Sequence, residues 1–494
     1  MDVIGSPSVS NPSFDLSSAA VTEMLHQGFH PGFPAGTEEQ LQQIRDGAAA
    51  AATSGLRDLR SLLWSSIDND TSRDLDQIEW AERLPQGILV RVGVADVSGS
   101  VPKGSPIDRH AADQTKTVYT ATRNFPMLPN ELSTGLTSLN EGEDRAAVVT
   151  EFVVAPDGSL SRQSLYRALV HNRAQLAYSK VGPWLEKKAE PDPKVAASPE
   201  LQAQLRLQDE AAQAIAAGRL RQGALDFRRV ESDPVVCDGR VCGIEDAVHN
   251  HATQLIENIM IAANETMAEL LHAGGRSCVR RVVRSPERWQ RIVDLVSRYG
   301  TQLPPEPDAA PLSVFLEQQR RVDPIHYPDL SLAIIKLMGH GEYVVASGKD
   351  STPLGHFALA ARDYTHSTAP NRRFADLVNQ RLVKAMLSNE PAPYSDSELN
   401  AIAQRCNLQE VAGQKVERAM RKRAAAVALA NSIGKSYQGV VTGAGEKGVY
   451  VRIFNPPVEG RILRGEQGLQ MGDTVHVVLI HTDPQRAYID FAAA

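Results

Sequence analysis

Residues 67–79 read IDNDTSRDLDQIE, and five of them are acids: Asp68, Asp70, Asp74, Asp76 and Glu79. Two metal chemistries fit that spacing. In a calcium loop, Asp68, Asp70, Ser72, Asp74, Asp76 and Glu79 fall at positions 1, 3, 5, 7, 9 and 12 of the EF-hand pattern, with apolar Leu75 at position 8. In the other, Asp68, Asp74 and Asp76 are carboxylates holding catalytic Mg²⁺. The calcium reading has a defect, because position 6 needs glycine for its sharp turn and carries Arg73 here. Its exit is also short: EWAERLP runs into Pro85 and a strand, and no second such loop occurs. A solvated acidic turn is the third, plain reading.

Working outward, 494 residues are enough for two to four domains and a sizeable core. At 42% hydrophobic and 22% charged the chain has a globular composition, and no window approaches the apolar length of a membrane span. The first fifteen residues lack the basic start and apolar run of a secretory signal, so the expected location is the cytoplasm. A net charge of −7 argues against a protein that coats nucleic acid unselectively, yet leaves room for a local basic channel. Four cysteines suit a reducing compartment. Cys237 and Cys242 in VVCDGRVCGI flank Asp238-Gly239, a tight-turn pair, and read as two small apolar side chains on a β-hairpin.

Three regions emerge. Residues 1–56 read as a polar tail and a helical segment, broken by HPGFPAG and resumed behind a cap at Thr37. A helix-turn-helix arrangement or a plain helical pair both fit. Residues 57–432 read as a mixed α/β body, with strands in GILVRVGVADVSGSV and AVVTEFVVAPDGSL. Helices are expected over 160–223 with a break around PDPK, over 245–272, over 285–300 and after Pro370. Residues 433–494 carry about five short strands between Gly- and Pro-containing turns, which suits a small OB-type barrel. There Tyr437 and Tyr450, beside Lys447, Arg452 and Arg461, would offer stacking faces and charge to a single strand. The class is α+β.

The segment RDLRSLLWSSIDNDTSRDLDQIEWAE, then VGVADVSGSVPKGSPIDRHA, then TVYTATRNFPMLPNELSTGLTSLNEGEDRAAVVTEF closely resembles the start of the ribonuclease II (RNB) catalytic domain. HFALAARDYTHSTAPNRRFADLVNQRLVKAML, residues 356–387, is similar to that family's second signature, and the C-terminal barrel to the RNA-binding barrel that follows it. The resemblance implies a 3′-to-5′ exoribonuclease using Mg²⁺ with Mn²⁺ as the alternative and degrading single-stranded RNA to nucleoside 5′-monophosphates; since nothing in the sequence demands an oligomer, a monomer is expected. It also implies roles. Asp68, Asp74 and Asp76 match three of four family aspartates, Asp76 being the one most directly tied to cleavage. The fourth position is Gln77, whose amide oxygen can ligate but brings no charge; Asp70 is near enough to compensate, or simply forms a turn.

Arg372 matches the family's catalytic arginine, and Pro370 can open a helix with Arg372 and Arg373 in its first turn, where a guanidinium and the free amides of the helix N-terminus can both address a phosphate. The plain alternative is an Arg372–Asp376 surface pair. Glu417 matches an acid near the active site, or else bridges to Arg421. Tyr119 falls where the family stacks a base near the 3′ end, Phe227 is a second clamp or a core residue, and Glu257 matches a contact to the terminal sugar. His366 and Asp96 belong to the same signatures and read as structural. The region before Arg57 is too short for the two cold-shock barrels usual in the family, and its pattern is helical. Because of Gln77, an RNA-binding protein with a weakened or silent centre stands as the alternative function.

Overall fold

The computed structural model describes residues 14–51, 55–228, 232–237, 240–247, 249–348, 355–445 and 448–493. Helices α1 (Leu16–His26) and α2 (Thr37–Ala51) come first. They do not pair as a helix-turn-helix unit. Leu16, Ala20 and Met24 of α1 pack on Val416, Met420 and Ala424 far along the chain, whereas Leu41 of α2 joins a different core containing Ile107.

The acidic loop lies between two strands, not two helices, which removes the calcium-loop reading. Strands β1 (Arg57–Asp58), β2 (Trp64–Asp68), β3 (Gln77–Leu84), β4 (Gly87–Ala95), β5 (Asp144–Val154) and β6 (Leu160–Ala177) form one sheet in the order β1-β6-β2-β3-β4-β5. β6 pairs with β5 on one edge and with β1 and β2 on the other, so the sheet folds back on itself. The helix expected from residue 160 is thus a strand as far as Ala177. Its Ala, Gln, Leu and Arg content favours helix locally, but pairing on both edges overrides that preference. α3 (Val97–Ser100) and α4 (Pro106–Gln114) follow β4. α5 (Tyr178–Leu185), α6 (Pro193–Ala196) and α7 (Pro199–Arg221) follow β6.

Next comes a hairpin, β7 (Ser232–Cys237) and β8 (Arg240–Asp246). Here a disulfide joins Cys237 to Cys242, in place of the two small apolar side chains expected. Their Cα atoms are 5.8 Å apart across the hairpin, within bridging range. The Asp238-Gly239 turn lies outside the described residues, as do Lys447 and the first thirteen residues of the tail.

The expected helix over 245–272 is α8 (His251–Ala273), its first residues having gone to β8. Asn250 caps it, and the same side chain donates to Tyr178 O at 2.8 Å. A Cβ on Gly182 would stand 2.0 Å from that amide, so α5 and α8 meet only because position 182 is glycine. β9 (Cys278–Val282), α9 (Trp289–Ser297), α10 (Ala309–Val322), α11 (Tyr327–Met338) and β10 (Glu342–Ala346) complete the middle of the chain. α12 (Phe374–Leu387) and the long α13 (Asp396–Leu429) lead to the barrel. None of the described helices is long and apolar enough to cross a membrane.

The main sheet has a core on each face. Trp64, Leu75 and Ile78 face α12 and α13, while Ile67, Ala81 and Val92 face α5, α7 and α8. The barrel closes β11 (Ser436–Gly445), β12 (Gly448–Ile453), β13 (Val458–Arg464), β14 (Thr474–Asp483) and β15 (Tyr488–Ala493) in the order β11-β12-β13-β15-β14. Arg452, expected as a free cation for RNA, is instead ion-paired with Asp329 of α11 at 2.7 Å, both side chains nearly buried. It fastens the barrel to the body. Removing one member of such a pair strands the other charge. Arg452→Ala should therefore cost about 2–3 kcal/mol in urea unfolding. An Asp329→Leu/Arg452→Leu double variant should recover most of that loss.

Candidate active site

Leu75 organises the acidic loop. It is fully buried in the core under α12, its N–H donates to Ser138 Oγ at 3.0 Å, and its carbonyl accepts from Leu139 N–H. Ser138 Oγ in turn donates to Arg73 O at 2.8 Å. With Leu75 pinned inward, the neighbouring Asp74 and Asp76 are presented away from that core. They find different partners. Asp74 accepts from the Tyr119 hydroxyl at 2.7 Å, while Asp76, 2% exposed, accepts from Asn371 N–H at 2.9 Å and Arg372 Nε at 3.0 Å.

Arg372 is placed by a turn before α12, not by the helix's first turn. α12 starts at Phe374, and Arg373 is its extended N-cap residue. At the actual start of the helix the Phe374 N–H donates to Thr115 O at 2.8 Å, so that amide is not free for phosphate. Arg372 O accepts from Thr117 N–H, which clamps the turn to the segment after α4. Asp376 pairs with Arg373 at 2.8 Å, not with Arg372. That leaves the Arg372 side chain 42% exposed beyond its bond to Asp76.

The charges are unbalanced. Burial pushes the Asp76 carboxyl up to about 6, against the pull of Arg372 and the Asn371 N–H. Burial lifts Asp68 to about 7, with the charges of Asp76 and Asp74 adding and Arg372 opposing. Burial works against the Arg372 cation too, but Asp76, Tyr119 and Asp74 together outweigh it and its pKa rises. Three acids thus face one arginine, and Asp68 Oδ2 is buried without a hydrogen-bond partner. Such a centre wants more positive charge.

Among the described residues no three His, Cys, Asp or Glu side chains stand close enough together to hold a metal ion. Asp76 and Asp74 are occupied by Arg372 and Tyr119. The donor set nevertheless fits a hard divalent ion: carboxylate oxygens, one of them orphaned, with the Gln77 amide buried at the start of β3. Asp70 does not join them, since Ser179 Oγ donates to it at 2.8 Å in an exposed position. A cavity of about 220 Å³ opens beside the acids, lined by Tyr119, Arg372, Arg373, Lys116, Tyr343 and His366. A larger one, about 390 Å³, lies away from the acids between α11 and the barrel.

Other expected residues are dispersed. Glu417 pairs with Lys116 at 3.0 Å, not with Arg421. Phe227 is half-buried against the core of α9, α10 and α11. Glu257 keeps an exposed surface on α8 but is hemmed in by protein, which raises its carboxyl pKa against the pull of Arg219. Tyr437 is half-buried and packs edge-on against Phe491 of the barrel core. Tyr450 stands opposite Arg461 on the outer barrel face. His366 is half-buried and bonded to the Tyr343 hydroxyl at 2.8 Å, and Asp96 caps α3 and binds Lys384 and Arg167. Sequence reading missed Asn371, whose backbone N–H holds Asp76, and Tyr178, which senses Asp68 electrostatically. Nothing in a linear pattern marks a backbone donor.

The model of the RNB domain matches residues 56–389, and that of the RNase II-type exonuclease C-terminal S1 domain matches residues 435–494. Ribonuclease R of Vibrio parahaemolyticus is 28% identical over 450 residues, covering 87% of this chain and 52% of that protein. The chain spans about half the length of such curated relatives. RNase R of Mycoplasma genitalium, solved with ribose-methylated single-stranded RNA, superposes with a TM-score of 0.86 at 24% identity, over 97% of this chain and 78% of that one. Yeast Ssd1, described as a pseudonuclease, shares the fold at 18% identity with a TM-score of 0.67, over 86% and 53%.

The Asp68 shift gives a stability test. An acid with a higher pKa folded than unfolded favours folding at pH below its unfolded value, near 4, and that contribution is lost as pH rises through about 7. In chelator at pH 8, Asp68→Asn should be more stable than the unmodified protein by about 2–4 kcal/mol in urea unfolding. At pH 4.5 the gap should shrink to roughly 1 kcal/mol.

Proposed function

The chain belongs to the RNB family, and from that premise we propose that it is a monomeric 3′-to-5′ exoribonuclease acting processively on single-stranded RNA, releasing nucleoside 5′-monophosphates and leaving a short end product. One observation carries the reading. The aspartate-rich loop meets a half-exposed arginine from the family's second signature, with Asp76 bonded directly to Arg372. Acids for metal and a cation for phosphate are what hydrolysis of a phosphodiester demands.

Asp68, Asp74, Asp76 and the Gln77 amide would hold Mg²⁺, or Mn²⁺ in its place. Bound there, the ions would neutralise charge on the phosphate and lower the pKa of the attacking water. The remaining work falls to the chain. Arg372 would exchange its bond to Asp76 for the scissile phosphate, its planar fork suiting two phosphate oxygens. Tyr119, 39% exposed at the cavity mouth, would release Asp74 and offer its ring to the 3′ base. Phe227 would serve as the second clamp and Glu257 as an acceptor for a ribose hydroxyl. Arg373, held by Asp376, and Glu417, holding Lys116, would keep the cavity wall in place. Tyr450 and Arg461 would meet the strand on the barrel surface.

A second reading, an RNA-binding protein with a silent centre, draws on Gln77 and on the present pairing of Asp74 and Asp76 with Tyr119 and Arg372. An unstructured 5′-labelled RNA of about 30 nucleotides separates the two. The exoribonuclease shortens it from the 3′ end with Mg²⁺. Asp76→Asn, Arg372→Ala and a chelator should each slow shortening by roughly 10²-fold or more while gel-shift binding persists. RNA that stays intact with Mg²⁺ and with Mn²⁺, despite binding, leaves the silent-centre reading standing.

A further inference from the structure

β3 carries a second buried acid. Glu79 has no exposed surface, and neither of its carboxyl oxygens has a hydrogen-bond partner. It is two residues beyond Gln77 on the same strand, hence on the same face. Ser65 of β2 lies directly across from it, also fully buried, with an unpartnered Oγ. Gln208 of α7 donates its Nε2 to Glu79 O at 3.3 Å and leaves its own buried Oε1 unpartnered. Asp68 Oδ2, at the end of β2, is orphaned as well.

These atoms are all oxygens, from β2, β3 and α7, and none of the described Lys or Arg residues bonds the Glu79 carboxyl. A buried carboxyl in that state is either neutral or awaits a cation. Its neighbourhood is that of the acidic loop. Ser65, paired across from Glu79, is three residues before Asp68 on β2.

We propose that Glu79 is a positioning acid of the metal centre, supplying from the next same-face position of β3 the negative charge that Gln77 does not bring. The proposal rests on the metal-dependent reading above. Same-face neighbours on a strand are roughly 7 Å apart, too far for Glu79 to take over a ligand position at 77. Mg²⁺ and Mn²⁺ keep several waters, however, and a carboxylate at that distance can accept from one of them or orient the Gln77 amide. Gln208 holds the strand there through the Glu79 main-chain oxygen and leaves the carboxyl oxygens unbonded.

The test uses Mn²⁺ alone as probe, its affinity for the full chain read by electron paramagnetic resonance without RNA. Glu79→Gln keeps the shape and removes the charge; it should weaken Mn²⁺ binding roughly tenfold or more. Gln77→Asp in the Glu79→Gln background should restore affinity by returning a carboxylate to the centre. Melting temperatures check that each variant is folded. Equal Mn²⁺ affinity in the unmodified protein and a folded Glu79→Gln variant overturns the proposal, leaving Glu79 a neutral core acid. A loss that Gln77→Asp does not rescue also overturns it, as a packing defect. No Mn²⁺ binding by the unmodified protein overturns the metal-dependent reading as well.

Discussion

The bond between Asp76 and Arg372 joins two segments 296 residues apart in sequence, and the site exists only where they meet. Its geometry depends on anchors to either side. Leu75 sinks the acidic loop into the core beneath α12, and the turn over Ala369–Arg372 is tied to the segment after α4 through Thr117 N–H. The Asn371 N–H adds a second contact to Asp76 from the same turn. Neither segment could present its side chain so closely without the other. The constraint is one of register between a strand terminus and a helix terminus.

The cost of that arrangement is electrostatic. Asp68, Asp76 and Glu79 are held where ionisation is disfavoured, and Arg372 is the cation that bonds directly to Asp76. Ionising these carboxyls together is costly, and binding of cations or partial protonation relieves that cost. Two other buried acids are matched with more care. Asp96 is shared by Lys384, Arg167 and the end of α3, and Asp376 by Arg373 and the Ala369 N–H. The shortfall is not confined to the site, since burial also lifts the Glu265 carboxyl on α8 to about 7 against the pull of Arg219.

The peripheral elements are built in rather than appended. α1 lies on the long helix α13, and the β7–β8 hairpin contributes Val241 to the same core and packs Ile244 against the barrel. Arg452 ties the barrel to α11. The barrel face that holds Tyr450 and Arg461 therefore has a defined position relative to the body.

Two acid-rich and arginine-bearing motifs were legible as sequence because their residues are close together in the chain. So were the barrel, from its turn spacing, and the long helices, from their apolar period. The sequence by itself determined the family and the order of most elements. It did not determine that residues 160–177 form a strand, since helix-favouring side chains there are overruled by pairing on both edges. Nor could it tell that Arg452 and Tyr437 face partners other than a ligand, because one strand alternates between core and surface and only packing says which is which. The bond from Asn371 to Asp76, the choice of Arg373 over Arg372 by Asp376, and the isolation of Glu79 were decided by tertiary structure alone. Each depends on a distance between atoms remote along the chain, and no local spacing encodes it.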